Sequence, residues 1–253
     1  VAAIVEGDEQ ARAENADVCE MLDAAKELAD ILREIRSRKG SIEFDIPEAK
    51  LTLDDSGVCT DVELYEHKVS HMMIEEFMLA ANETVAETFE GLKVPFVYRV
   101  HEAPPADKQQ AFIDYLDTLG IRFKGGESHE YADLLEKVKG TPDERAVSRM
   151  ALRAMSKARY STKDTGHFGL AIRHYCHFTS PIRRYPDLQD HRIITEFIAR
   201  SGKGMKRYAD IAEEAASRSS AREQIALSAE RRITDIKKAE YMKAHIGESF
   251  EGT

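Results

Sequence analysis

The chain has 253 residues, 42% of them hydrophobic and 32% charged, with 14 Gly, 7 Pro, no Trp and a formal net charge of -10. This composition excludes a disordered or collagen-like chain, and the length suits one large domain or two small ones. No apolar run approaches the ~20 residues of a membrane-spanning helix, no signal segment opens the chain, and Cys19, Cys59 and Cys176 are too few for a disulfide framework, which points to a reducing cytoplasm.

In chain order, residues 9–39 read as one long helix, with Val18, Met21, Leu22, Ala25, Leu28, Ala29 and Leu32 at 3–4 spacing and Gly40 as its stop. Ile42, Phe44 and Ile46 alternate as a strand would. Leu51 to Leu53, the turn Asp54-Asp55-Ser56-Gly57 and the run from Val58 to Tyr65 read as a hairpin. A second helix is expected over about 70–90, with a stripe of Met72, Met73, Phe77, Ala80, Ala81, Val85 and Phe89. Phe96 to His101 reads as a short strand ended by Pro104-Pro105. Helices follow near 106–119, 129–138 and 142–158. Residues 159–181 read as a loop with short extended pieces. A helix is expected from Pro181 or just after, since Pro suits a first turn, and a last long helix over about 205–245. Helices and strands do not alternate as βαβ units, so the expected class is α+β, helix-rich with a minority, mostly antiparallel sheet. The chain opens at Val1 and stops on an incipient strand at Phe250, which reads as a fragment cut at both ends.

The charge is unevenly spread. Residues 145–207 carry 14 Lys and Arg against 4 Asp and Glu, while residues 1–144 carry 15 against 33. The local excess suits a surface facing a phosphate-bearing partner.

That basic region contains the segment richest in chemistry. Gly166-His167-Phe168-Gly169-Leu170 is followed by His174-Tyr175-Cys176-His177-Phe178-Thr179-Ser180-Pro181-Ile182-Arg183-Arg184-Tyr185-Pro186-Asp187-Leu188, then His191-Arg192. Thr179 and Ser180 would stand with free backbone N–H groups at a helix start, which suits an anion. Arg183 and Arg184 could grip a phosphate with two prongs. The His spacings form no HExxH or Cys/His knuckle, so no metal ligand is assigned and a His-based metal hydrolase is the weakest reading.

From Tyr175 to Arg192 the segment resembles the signature of the ribonuclease II/ribonuclease R family, in the catalytic domain often called RNB. The Arg-Arg-Tyr-Pro form is closer to ribonuclease R. Gly166–Leu170, Gly40–Phe44, the Ile74–Asn82 stretch and Lys238–Met242 also fit, so the resemblance covers nearly the whole chain. It implies a processive, Mg²⁺-dependent 3′-to-5′ exoribonuclease that releases nucleoside 5′-monophosphates from single-stranded RNA. It implies metal-binding aspartates upstream of this chain; Asp54-Asp55 does not match that motif. Residues 1–246 would then be the distal part of the catalytic domain, and residues 247–253 the start of a following S1-like RNA-binding domain. The implied partners are the RNA 3′ end, the upstream half of the catalytic domain and flanking RNA-binding domains, with no membrane. Cytoplasmic location follows.

The resemblance assigns roles residue by residue. Arg183 would stabilise charge on the scissile phosphate, with Arg184 in support. Phe44 would stack on a terminal base, which needs no base identity. Glu76 would accept from a ribose 2′-hydroxyl, and Glu75, about 100° away around the helix, would not share that face. His177, Thr179, Ser180 and Tyr185 would shape the loop or touch the RNA backbone. Glu230 matches a late-helix acid, although Arg231-Arg232 replaces the usual Arg-Asp after it. The competing reading is a non-catalytic RNA- or protein-binding module derived from the same fold.

Overall fold

The computed structural model describes residues 1–44 and 48–250, in two compact units. The first comprises residues 1–44 and 67–219; the second comprises 45–66 and 220–253.

The first unit opens with α1 (Ala2–Val5), α2 (Glu9–Glu14) and α3 (Ala16–Arg38). The long helix expected over 9–39 is therefore two. Asn15 leaves helical geometry at φ -131, ψ 41, and Arg12 of α2 pairs with Asp23 of α3 at 2.8 Å. Gly40 does stop α3, at φ +87, a conformation that suits glycine. Ile42 and Phe44 lie in no strand, and Ile46 falls outside the described residues.

The second unit holds the hairpin, β1 (Ala49–Leu53) paired antiparallel with β2 (Cys59–Leu64). Asp54 Oδ1 accepts from the Ser56 and Val58 backbone N–H groups at 2.9 and 2.8 Å, and Gly57 takes φ +80. Asp54 is thereby committed to an Asx turn, and the Ser56 hydroxyl, together with those backbone hydrogen bonds, holds its carboxyl below its ordinary pKa.

Back in the first unit, α4 (Val69–Gly91) buries Met73, Glu76, Leu79, Asn82, Ala86 and Phe89. The expected stripe shared only Met73 and Phe89 with this face. Two polar residues, Glu76 and Asn82, occupy buried positions that an apolar count passes over. β3 (Tyr98–Val100) is shorter than the expected 96–101, because the Val97 N–H donates to the Asp190 carboxylate at 3.0 Å rather than to a strand. Then come α5 (Ala106–Thr118), α6 (Ser128–Val138) and α7 (Glu144–Ala154), which stops before the expected 158 as Met155 turns extended. β4 (Arg159–Ser161) pairs antiparallel with β3, setting Arg99 opposite Tyr160. On β3's other side the Arg99 N–H donates to Tyr175 O at 2.8 Å, and Tyr98 bridges Cys176. The signature segment is thus laid along a strand edge. α8 (Tyr185–Ala199) and α9 (Ala209–Met242) close the chain, and the part of α9 up to Ser219 belongs to the first unit.

One core of the first unit gathers Phe89, Phe96, Val97, Val100, Cys176, Ile193 and Ala212. Another, under α5–α7, gathers Phe112, Leu116, Tyr131, Leu134, Val147 and Ala151. Burying a side chain of this size contributes roughly 1.5–3 kcal/mol. The two cores flank the signature segment, since Cys176 lies in the first and Phe168 packs on the second.

Candidate functional site

The signature segment is pinned from α4. Asn82, 3% exposed, donates from Nδ2 to the Tyr175 hydroxyl at 3.2 Å and accepts the Phe178 N–H at Oδ1 at 2.9 Å. Phe178 stacks on His191 of α8 at 4.1 Å between centroids, and His191 Nε2 bonds the Phe178 carbonyl at 2.9 Å. His177 Nδ1 meets the Tyr160 hydroxyl at 2.9 Å, His174 Nδ1 meets Asp164 at 2.6 Å, and His167 Nδ1 accepts the Leu170 N–H at 3.2 Å. The histidines therefore pack and hydrogen-bond. Burial, then Arg184 and Arg99, push His177 down to about 2; burial and His101 push His167 down to about 3. Both rings are neutral at neutral pH and poor proton shuttles there.

The segment then makes a turn, not a helix. α8 begins at Tyr185, four residues later than the earliest expectation, with Pro186 in its first turn and Arg184 as its extended N-cap. The reason is a tie across the turn. Asp187, fully buried, accepts at Oδ2 from the Ser180 N–H at 2.8 Å and from Arg184 Nε and Nη2 at 3.1 and 2.8 Å. Arg183 and Arg184 thus precede the helix rather than occupying its first turn.

The two arginines differ. Arg184 is committed to Asp187. Arg183 is exposed and its guanidinium has no hydrogen bond or ion pair among the described residues, beside an Ile182 that is 100% exposed. The Thr179 and Ser180 hydroxyls, half-buried, likewise have no partner among the described residues. The turn therefore offers a guanidinium and two hydroxyls, and its base is braced by a buried ion pair. Tyr185, 51% exposed, lines an open cavity of about 640 Å³ with Leu188, His191, Arg192 and Tyr208.

Behind the turn, Asp190 is fully buried one helical turn past Asp187. Burial pushes its carboxyl well above the usual range, and the neighbouring Asp187 adds to the rise against the Val97 N–H bond. One oxygen of each carboxyl, Asp187 Oδ1 and Asp190 Oδ2, has no partner among the described residues.

The remaining sequence candidates belong to other elements. Glu76 is 5% exposed and paired with Arg36, at 2.5 Å to Nη2 and 3.3 Å to Nε. Arg36 also donates to Ser41 and Glu43. Glu75 is exposed, as its helical offset requires. Phe44 is half-buried against the α5–α7 core. Glu230 belongs to the second unit and is exposed. Asn82, Asp187 and Asp190 were not assigned roles from sequence. Their only signal was a polar residue on the apolar side of a helix. Among the described residues no group of three or more His, Cys, Asp or Glu could hold a metal ion. A Mg²⁺ site built from carboxylates does not fit the residues described.

The RNB domain model matches residues 1–200. Ribonuclease R 1 of Lactococcus lactis is 42% identical over 98% of this chain and 31% of its own length, and ribonuclease R of Aquifex aeolicus is 40% identical over 99% and 36%. A solved structure of Mycoplasma genitalium RNase R with ribose-methylated single-stranded RNA superposes with a TM-score of 0.83 at 29% identity, covering 92% of this chain and 38% of that one. The same enzyme with double-stranded RNA superposes at 0.84 and 28% identity, covering 97% and 46%. The helix-rich α+β fold with small antiparallel sheets is the one these structures share. The chain belongs to the RNB family. Its curated relatives carry the name ribonuclease R, and it spans about a third of their length.

Proposed function

We propose that this chain forms the distal part of the catalytic domain of a processive 3′-to-5′ exoribonuclease that hydrolyses RNA to nucleoside 5′-monophosphates in the cytoplasm. The observation that carries it is the unpaired Arg183 on a turn braced by Arg184 and Asp187. Phosphodiester hydrolysis concentrates negative charge on the phosphoryl oxygens. A guanidinium already placed there favours the transition state over the ground state. Arg184 is a positioning residue, because its charge is balanced by Asp187. The Thr179 and Ser180 hydroxyls donate to the same phosphate or its neighbour. Glu76, oriented by its ion pair with Arg36, reads the 2′-hydroxyl, and Phe44 offers its open face to a terminal base.

Mg²⁺ would be held by carboxylates outside the described residues, supplied by an upstream part of the same domain. Residues 247–253 would begin an S1-like RNA-binding domain, and Glu230 is a further candidate contact to RNA. No helix among the described residues is long and apolar enough to cross a membrane. The non-catalytic binding module keeps one supporting observation, that the described residues hold no carboxylate cluster for a metal ion.

The test is Arg183→Ala in the intact protein. Single-turnover hydrolysis should fall by roughly 10²–10³, with RNA affinity changed only a few-fold, since other contacts hold the strand. Equal losses in rate and binding would make Arg183 a generic backbone contact.

A further inference from the structure

We propose that Arg145, Arg149 and Arg153, on the outer face of α7, form a second binding site for the phosphate backbone of an RNA strand. The inference rests on the reading of the chain as part of an RNA-degrading enzyme. α7 buries Val147, Ser148, Ala151 and Ala154 on one side. The three arginines fall on the opposite side, and all are exposed. They recur at intervals of four, so they stand about 6 Å apart along the helix axis, close to the spacing of successive phosphates in RNA.

The row has no internal counter-charge. None of the three guanidinium groups has a hydrogen bond or ion pair among the described residues. Both i,i+4 neighbours of Arg149 are arginines. Elsewhere this chain places a carboxylate at that spacing, as in Glu34–Arg38, Glu196–Arg200 and Glu214–Arg218. A like-charge row opposes its own helix, and it opens the basic stretch 145–207. An external polyanion supplies the missing partner. Leu152, 47% exposed, lies beside Arg149 on the same face and adds apolar surface for a ribose or base. Guanidinium groups suit this role through their paired donors to phosphate oxygens.

The experiment compares the intact protein with its R145Q/R149Q/R153Q variant, using a single-stranded RNA long enough to extend beyond the signature turn. Binding is measured in EDTA over a salt series. Glutamine keeps the helix propensity, and unchanged thermal unfolding checks the fold. Each lost phosphate contact removes ~0.7 from the slope of log affinity against log salt. The variant's slope should be shallower by about 2. The wild type should then lose roughly 20-fold more affinity than the variant when salt rises fourfold. R145K/R149K/R153K should restore most of the slope. A second triple, R38Q/K50Q/R218Q, removes the same charge from paired surface positions and should leave the slope nearly unchanged. An unaltered slope in the α7 variant, or an equal change in the second triple, overturns the proposal. Hydrolysis of a 3′-terminal oligomer too short to reach α7 is measured separately. A protein without that activity but with the α7-dependent slope would sink the exoribonuclease reading and keep the binding site.

Discussion

Arg183 and Arg184 are neighbours in the chain with opposite commitments. Arg184 compensates a fully buried carboxylate, whereas Arg183 is left to whatever approaches the turn. Arg184→Ala should therefore act on stability before chemistry. It strands Asp187 without its cation, at a cost of ~3–5 kcal/mol, read as a lower midpoint in denaturant with an unchanged m-value. If Arg184→Ala unfolds like the wild type yet loses turnover, it touches the phosphate itself. Asp190 gives a pH-dependent counterpart. Its folded pKa is raised by burial, so the native state holds a proton that the unfolded chain releases near ~3.9. Its contribution is whole at low pH and is lost as pH rises towards the folded pKa, by ~1.4 kcal/mol per unit. His167 and His177 have lowered values, about 3 and about 2, and oppose this below ~6.5, where acid favours the unfolded state. Asp190→Asn, compared with wild type by urea unfolding at each pH, should therefore lose less stability per pH unit as pH rises above the unfolded-state value of ~3.9. A variant whose stability falls with pH as steeply as that of the wild type would mean that Asp190 is ionised in the fold.

At the scale of elements, α4 buries two polar residues, Glu76 and Asn82, along one face. Asn82 holds the signature segment, and Glu76 is presented with Arg36 behind it. Asn82→Ala leaves the Phe178 N–H and the Tyr175 hydroxyl without their partner, at ~1–3 kcal/mol each if buried, and should loosen the turn that carries Arg183. Proteolysis within 175–185 should accelerate, and protection equal to wild type would mean that β3 and α8 hold the segment alone. Glu76→Gln keeps the shape beside Arg36 but removes the charge. It should shrink the kcat/KM penalty for one 2′-deoxy substitution near the RNA 3′ end, whereas an unchanged penalty would leave Glu76 as a structural partner of Arg36. These elements were unequally legible. The hairpin was readable because Asp54 and Gly57 settle it locally, as were α4, α5 and α6 from their periodicity. The break at Asn15 was not, because the 3–4 spacing continues across it. Pro181 looked like a helix start, but Pro186 holds that place, because Asp187 ties Ser180 and Arg184 into a turn through a contact that spacing alone does not reveal. The role of Asn82 was hidden for the same reason, since its partners lie more than ninety residues away.

At the scale of the whole molecule, the chain carries the turn of Arg183 proposed to face a phosphate, the Glu76–Arg36 pair proposed to read the sugar and a basic helix face, but no carboxylate cluster for a divalent ion among its described residues. Its curated relatives are about three times as long. The proposed division of labour places the phosphate grip here and the metal ligands elsewhere in the intact protein. The most direct measurement is the shortening of a 5′-labelled single-stranded RNA with Mg²⁺, by the intact protein and by the 253-residue chain alone. The expected result is stepwise shortening from the 3′ end with release of nucleoside 5′-monophosphates by the intact protein, abolished by EDTA, and no shortening by the chain alone. Internal cleavage, activity that survives EDTA, or Mg²⁺-dependent degradation by the chain alone would contradict it.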